Sequence, residues 1–226
     1  MAHIPGLLHA VHAEDPELLT GDIDAGGAPL YARGATAAVL GALEWLPAKI
    51  RDKNPMLWIH QAWATWTAYR SDDVYPLLDA AEALEGSDLR VRAHLHALKA
   101  NLAANQYDLE SVAKHASAAI EALDAGESYA RAAAHRAMAF AYQLRGDRGE
   151  SIAAYRRAID ACRTSGFTHL EIIAITGLGL VHESDFALRE AEACYRDVLR
   201  LSGDANQPVT CEAHAGLGRI AYAQNR

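Results

Sequence analysis

Apolar residues return along most of this chain at the spacing of a helix face, with polar residues filling the gaps. Ile152, Tyr155, Ile159 and Cys162 stand at i, i+3, i+7 and i+10, one stripe of an amphipathic α-helix. Ala191, Tyr195, Val198 and Leu201 repeat that stripe, and Tyr195 follows Tyr155 by 40 residues. Strand-like alternation is nearly absent. Thr168-His169-Leu170-Glu171 reads as a capping box, in which threonine and glutamate each satisfy a free backbone N–H. Asp147-Arg148-Gly149-Glu150 offers a similar acidic start. Gly126, Gly146, Gly166 and Gly203 mark stops, because glycine tolerates the left-handed turn that ends a helix.

These signals predict five helix pairs: 17–33 with 36–46, 55–70 with 73–85, 88–105 with 108–124, 128–145 with 148–165, and 168–184 with 187–202. A short helix near 6–13 precedes them, and a lone helix over 208–223, opened by Pro208, follows. Gly26-Gly27-Ala28-Pro29 should bend or break the first helix. Leu217-Gly218-Arg219-Ile220-Ala221 repeats Leu178-Gly179-Leu180-Val181-His182 at a shift of 39, so the lone helix reads as half of a sixth unit. The expectation is a piece of a longer protein, with apolar surface on that helix available for self-association.

A fixed period of about forty residues marks a solenoid, whose units bury their apolar faces only against neighbours. Ala139, Tyr142, Gly146-Asp147, Tyr155 and Ala158 carry a pattern that resembles the tetratricopeptide repeat, with a period longer than its usual ~34 residues. The resemblance implies an all-α fold: a tetratricopeptide-like right-handed superhelix of about five antiparallel helix pairs plus a terminal lone helix, in one domain over 1–226.

A narrower resemblance follows. Leu30-Tyr31-Ala32-Arg33-Gly34, Val39-Leu40-Gly41-Ala42-Leu43-Glu44-Trp45-Leu46-Pro47 and Asn54-Pro55-Met56-Leu57-Trp58-Ile59-His60-Gln61-Ala62-Trp63-Ala64 resemble the opening of the repeat region in MalT-like transcriptional activators. His9-Ala10-Val11-His12-Ala13-Glu14-Asp15 resembles the end of the segment before it. That family comprises ATP-dependent regulators of the LuxR type: an NTPase module, a winged-helix segment, a helical-repeat sensor and a DNA-binding helix-turn-helix. No G-x-x-x-x-G-K-[ST] phosphate loop and no helix-turn-helix with a basic recognition helix occur in this sequence. The resemblance therefore implies a sensor domain that receives an inducer or protein and relays the signal to NTPase and DNA-binding domains outside this sequence. The alternative is a generic scaffold binding a partner peptide in its concave groove.

Composition narrows these readings. Hydrophobic residues make up 51% of the chain, enough for a large core, and many are alanine, the best helix former. A net charge of −8 and a pI near 5.7 argue against direct contact with nucleic acid. No apolar run is long enough for a membrane span, and the N-terminus lacks the basic start of a secretory signal. Cys162, Cys194 and Cys211 read as buried, reduced thiols of a cytoplasmic protein. No cofactor is implied. Serines and cysteines lack a paired histidine and carboxylate at a recurring spacing, which argues against an enzyme.

In a tetratricopeptide array the first helices of successive pairs line the concave face. Units aligned on Ala100, Ala139, Gly179 and Gly218 place Asn101, Asn105, Arg136, Phe140, Gln143, Thr176, Leu180, Glu183, Arg219 and Tyr222 there. Amides, arginine and aromatics on one surface suit a peptide carboxylate or a sugar, or else serve as ordinary solvated and inter-repeat residues. Trp45, Trp58, Trp63 and Trp66 read as core packing between the first two pairs, with a sugar-stacking platform as the alternative. His96, His135 and His214 share one repeat position, too far apart for a common metal, and no metal site is expected. The arginines over 131–163 read as an ion-paired outer face, or as a contact surface for an acidic partner.

Overall fold

The computed structural model describes residues 11, 14–32, 35–84, 86, 88–122, 128–203 and 210–225. Among these the fold is all-α. The first pair is α1 (Pro16–Ala32) and α2 (Thr36–Trp45), followed by a short α3 (Ala48–Arg51). The second joins α4 (Pro55–Thr67) to a 3-10 turn (Ser71–Val74) and α5 (Tyr75–Glu82). Then come α6 (Leu89–Asn105) with α7 (Leu109–Ala122), α8 (Ser128–Arg145) with α9 (Arg148–Ser165), and α10 (Thr168–Ser184) with α11 (Leu188–Ser202). The last described helix is α12 (Cys211–Ala223). Partners within each pair pack together, and the first helices also stack in order, α4 on α6, α6 on α8, α8 on α10 and α10 on α12. This is the helical-repeat architecture that the forty-residue period predicts.

Local signals explain most boundaries. Asn54 caps α4 through the Met56 amide at 3.0 Å, and Asp88 caps α6 through the Arg90 amide at 2.8 Å. Gly146, Gly166 and Gly203 all have positive φ, as expected of stops. Gly126, Pro208 and, except for Val11, the helix near 6–13 lie outside the described residues.

Two expectations fail for identifiable reasons. The Gly26-Gly27-Ala28-Pro29 segment does not break α1. Pro29 stands in the last turn, so that only the helix end at Ala32 follows it, and Gly27 lets the helix lie against the buried His60. A Cβ at Gly27 would come within 2.9 Å of His60 Nδ1. The capping box at Thr168 also does not form: Phe167 occupies the cap position without a side-chain bond. Glu171 instead accepts from Arg163 Nε at 2.8 Å, where both partners carry a full charge, and this pairing draws the carboxylate away from the helix start. Asp147 likewise occupies the cap of α9 without a side-chain bond.

The repeat is visible in its turns. Tyr69, Tyr107, Gly146, Phe186 and Asn225, spaced 38 to 40 residues apart, have φ of 61°, 60°, 83°, 58° and 55°. At the first four, the next amide bonds the carbonyl five residues back, at 2.9 to 3.2 Å. This is the Schellman ending, which satisfies the last carbonyls of each first helix.

The core falls into two clusters, one running from Leu19 in α1 to Leu170 at the start of α10 and one from Ala139 in α8 to Ile220 in α12. Along α8, Ala130, Ala132, Ala133, Ala134, Ala137, Ala139 and Ala141 are all fully buried. Methyl-sized side chains let α8 approach α6, α7 and α9 closely. Larger groups then lock the units together. Tyr155 lies against Gly177 of the next unit, and Tyr195 against Gly216. The same rings reach back within their own unit. The Tyr155 hydroxyl donates to Gln143 Oε1 at 3.0 Å, and the Tyr195 hydroxyl donates to Glu183 Oε2 at 2.7 Å.

Candidate functional site

The stacking of first helices curls the array until α1 touches α10 and the turn after α4 meets α10. Between them lies a cavity of about 330 Å³. Trp66 and Tyr69 come from the end of α4 and its turn, Ser71 from the 3-10 turn, and Asn105 from α6. Arg136 enters from α8, and His169 and Ile173 from α10. Four consecutive pairs thus contribute to one space.

Arg136 is the charged group of this cavity and is 9% exposed. Its Nε donates to Asn101 Oδ1 at 2.9 Å, and its Nη2 donates to the same oxygen. Asn101 is fully buried, and its Nδ2 donates to the Ala97 carbonyl at 2.7 Å and the Ala133 carbonyl at 3.2 Å. The amide therefore holds α8 to α6 and aims the guanidinium. Arg136 Cζ stands 5.7 Å from the Trp66 ring centroid, within cation–π range. Burial pulls the Arg136 pKa down, but a guanidinium stays charged.

The remaining walls are aromatic and polar. The Tyr69 and His169 rings meet edge to face at 5.9 Å. Burial pushes the His169 pKa below the ordinary histidine value, keeping the ring neutral near pH 7, and its Nε2 is enclosed without a hydrogen-bond partner. Asn105 Nδ2 donates to Ser71 Oγ at 3.2 Å. Behind Trp66, Trp63 is fully buried, at 5.8 Å from Trp66 and 5.0 Å from Tyr129, and its Nε1 donates to His94 Nδ1 at 3.0 Å. Tyr129 continues the stack to Phe167 at 5.0 Å. Among the tryptophans, Trp63 is thus core and Trp66 is both core and cavity wall.

The other groove residues fall elsewhere along the array. Phe140 is half-buried, 6.0 Å from the Tyr107 ring. Gln143 accepts from Tyr155. Arg219 Nε donates to Glu183 Oε1 at 2.6 Å, and its Nη2 bonds both Glu183 and Glu212. The Arg219 guanidinium and the Tyr195 hydroxyl hold the Glu183 carboxyl below its ordinary pKa against the opposing effect of burial. Thr176 Oγ1 donates to the Ile172 carbonyl at 2.9 Å, Leu180 is half-buried, and Tyr222 is 85% exposed. Arg136 and Asn105 therefore share the cavity, Asn101 supports it from behind, and Glu183, Arg219 and Tyr222 form a separate stretch.

Repeat alignment does not point to Tyr69, Ser71, His169 or Ile173. Trp66 was signalled: it stands three residues before its turn residue, as Gln143, Glu183 and Tyr222 do before theirs. His169 and Ile173 carry no such signal, because they reach the cavity through the curl of the whole array.

Elsewhere, Cys211 is exposed, contrary to the expectation of three buried thiols, because it opens α12, where no further helix covers it among the described residues. Cys162 is buried and Cys194 half-buried. Burial raises both thiols, Cys194 to about 11, so they remain protonated. Within the arginine-rich stretch, Arg148 pairs with Asp185 at 2.5 Å and Arg163 with Glu171. His96 Nδ1 and His115 Nδ1 approach to 2.9 Å, a pairing between α6 and α7 that the sequence did not announce. No described helix is long and apolar enough to cross a membrane.

No curated protein is significantly similar to the chain. A family model described as the MalT-like TPR region matches residues 93–226, from α6 through α12. The first two pairs, with Trp66, Tyr69 and Ser71, precede the matched segment. The match spans more than half of the sequence and takes in the stacked first helices α6, α8, α10 and α12. The chain belongs to the family of MalT-like tetratricopeptide-repeat regions.

Proposed function

We propose that this helical-repeat domain is the sensing segment of a LuxR-type, MalT-like regulator, receiving an inducer or a protein on the face formed by its first helices. The reading rests on one observation: side chains from four consecutive pairs converge on the cavity around Arg136. A ligand that bridges Tyr69, Asn105 and His169 would favour one curvature of the array over others. A change in curvature would then alter contacts with NTPase and DNA-binding domains of the full regulator, which is how a ligand shifts a conformational equilibrium. The role assigned to this segment is binding and relay in the cytoplasm, without catalysis.

The test is calorimetric binding of a panel of sugars, small organic acids and peptides to the wild type and to Arg136→Ala. Binding that weakens in the variant supports the site, and binding of every ligand found that is unchanged discards it. A second reading, a scaffold for a partner peptide, draws on the exposed Phe186 and Tyr222, at 87% and 85%. Peptide binding lost on Tyr222→Ala but retained in Arg136→Ala would favour it.

A further inference from the structure

Arg136 is a buried cation without an acid. Its only hydrogen-bond acceptor is the neutral Asn101 amide, and no carboxylate lies within ion-pairing distance of it among the described residues. The cavity it faces has no acidic residue in its lining, although the chain as a whole carries a net charge of −8. An unpaired charge taken out of water is expensive, and one amide with one aromatic face offsets only part of that. The cavity therefore holds an unmet demand for an anion.

The guanidinium also retains the means to meet it. Of its five N–H groups, Asn101 Oδ1 engages one on Nε and one on Nη2. The end-on fork between Nη1 and Nη2 remains open, and that edge can take both oxygens of a carboxylate. Around it, Trp66, Tyr69 and Ile173 provide flat and apolar walls, and Asn105 provides an amide. A space of about 330 Å³ corresponds to roughly ten water molecules at ~30 Å³ each, the size of a single ring with a short acidic arm.

We propose that this cavity binds a small organic carboxylate with a planar apolar body, the carboxylate on Arg136 and the ring against Trp66 and Tyr69. The assignment rests on the sensing reading above and names the ligand class. A neutral sugar would leave the Arg136 charge unmatched. A peptide ending in an aromatic residue presents the same chemistry from a different source.

The test uses calorimetry on the full chain with 3-phenylpropionate, indole-3-acetate, their primary amides, maltotriose and a tripeptide ending in phenylalanine. Both acids are expected to bind ten- to a hundredfold more tightly than their amides, on the order of one charge-assisted hydrogen bond. Arg136→Gln should abolish that preference. Tyr69→Gly removes the ring while relieving a positive φ, so it should weaken the acids several-fold in a folded protein. Equal binding of acid and amide, a preference retained in Arg136→Gln, or no binding of either acid at millimolar concentration overturns the assignment. Tighter binding of the tripeptide than of either acid moves the carboxylate to a chain terminus and overturns the small-molecule form. Maltotriose binding that is lost in Tyr69→Gly, with both acids inert, overturns the carboxylate and leaves the sensing site standing.

Discussion

Tyr195 occupies a slot in the next unit that exists because residue 216 is glycine. A Cβ there would sit 2.2 Å from the Tyr195 ring, which is fully buried and cannot retreat. Tyr155 and Gly177 repeat the arrangement, with a Cβ 2.4 Å from the ring. Gly216→Ala should therefore destabilise the chain by about 1–3 kcal/mol, the range for overpacking. Gly218→Ala, two residues on, meets nothing within 4 Å and should be neutral or stabilising through helix propensity. Urea unfolding of the two variants checks this, and equal midpoints would contradict the slot.

Glu183 is held in its charged form by Arg219 and Tyr195, so its carboxyl titrates below the ordinary 4.5. A carboxyl depressed in the folded state contributes stability above its unfolded pKa and loses it as pH falls through the folded value. Glu183→Gln should cost about 1 kcal/mol or less at neutral pH, because Arg219 is 46% exposed. The wild type should then lose its advantage below pH 4.5, giving converging urea midpoints. Parallel midpoints down that range would count against the pairing.

Histidines give the opposite end of the pH scale. Burial lowers the pKa of His60, His135 and His169 from the ordinary 6.5, so the folded chain keeps them neutral while the unfolded chain protonates them. Their contribution is fully present above 6.5 and declines as pH falls below it. Melting temperature should drop from about pH 7.5 to 5.5, before carboxylates titrate. A flat profile over that interval would refute it.

Phe186 and Tyr107 hold a left-handed backbone that glycine holds at the equivalent Gly146. Such conformations cost bulky residues about 1 kcal/mol or more each. Phe186→Gly and Tyr107→Gly should each raise stability by roughly 0.5–1 kcal/mol, net of the entropy glycine adds to the unfolded chain. Thermal denaturation decides the sign.

Asn101→Leu removes the oxygen that Arg136 engages and should cost about 3–5 kcal/mol, as a stranded buried charge does. Adding Arg136→Met should recover much of that loss. A double-mutant cycle with no coupling between the two sites would show that the amide and the guanidinium act independently.

The fold was largely legible because a period of forty residues survives in small features. Tyr155 and Tyr195, the alanines of α8 and the turn glycines each declare their place in a unit. Local grammar was less dependable where a long-range partner intervened. Glu171 matches a capping box in sequence, yet Arg163 claims it. Pro29 reads as a breaker, yet it falls where a helix is already ending. Arg136 and Asn105 were found by repeat alignment, whereas His169 was not. Its place in the cavity depends on the summed rotation of several interfaces, which no residue spacing encodes.

That summation gives the Tyr69–His169 contact a particular status. The two rings are 100 residues apart in sequence and 5.9 Å apart in space. Three junctions between successive first helices, α4 to α6, α6 to α8 and α8 to α10, separate them. A tilt of the same sign at each junction adds up across that span, so a displacement too slight to register at any one junction becomes visible as a gap or a closure between these two rings. The pair works like the jaws of a caliper, translating the bend of the whole array into a single distance.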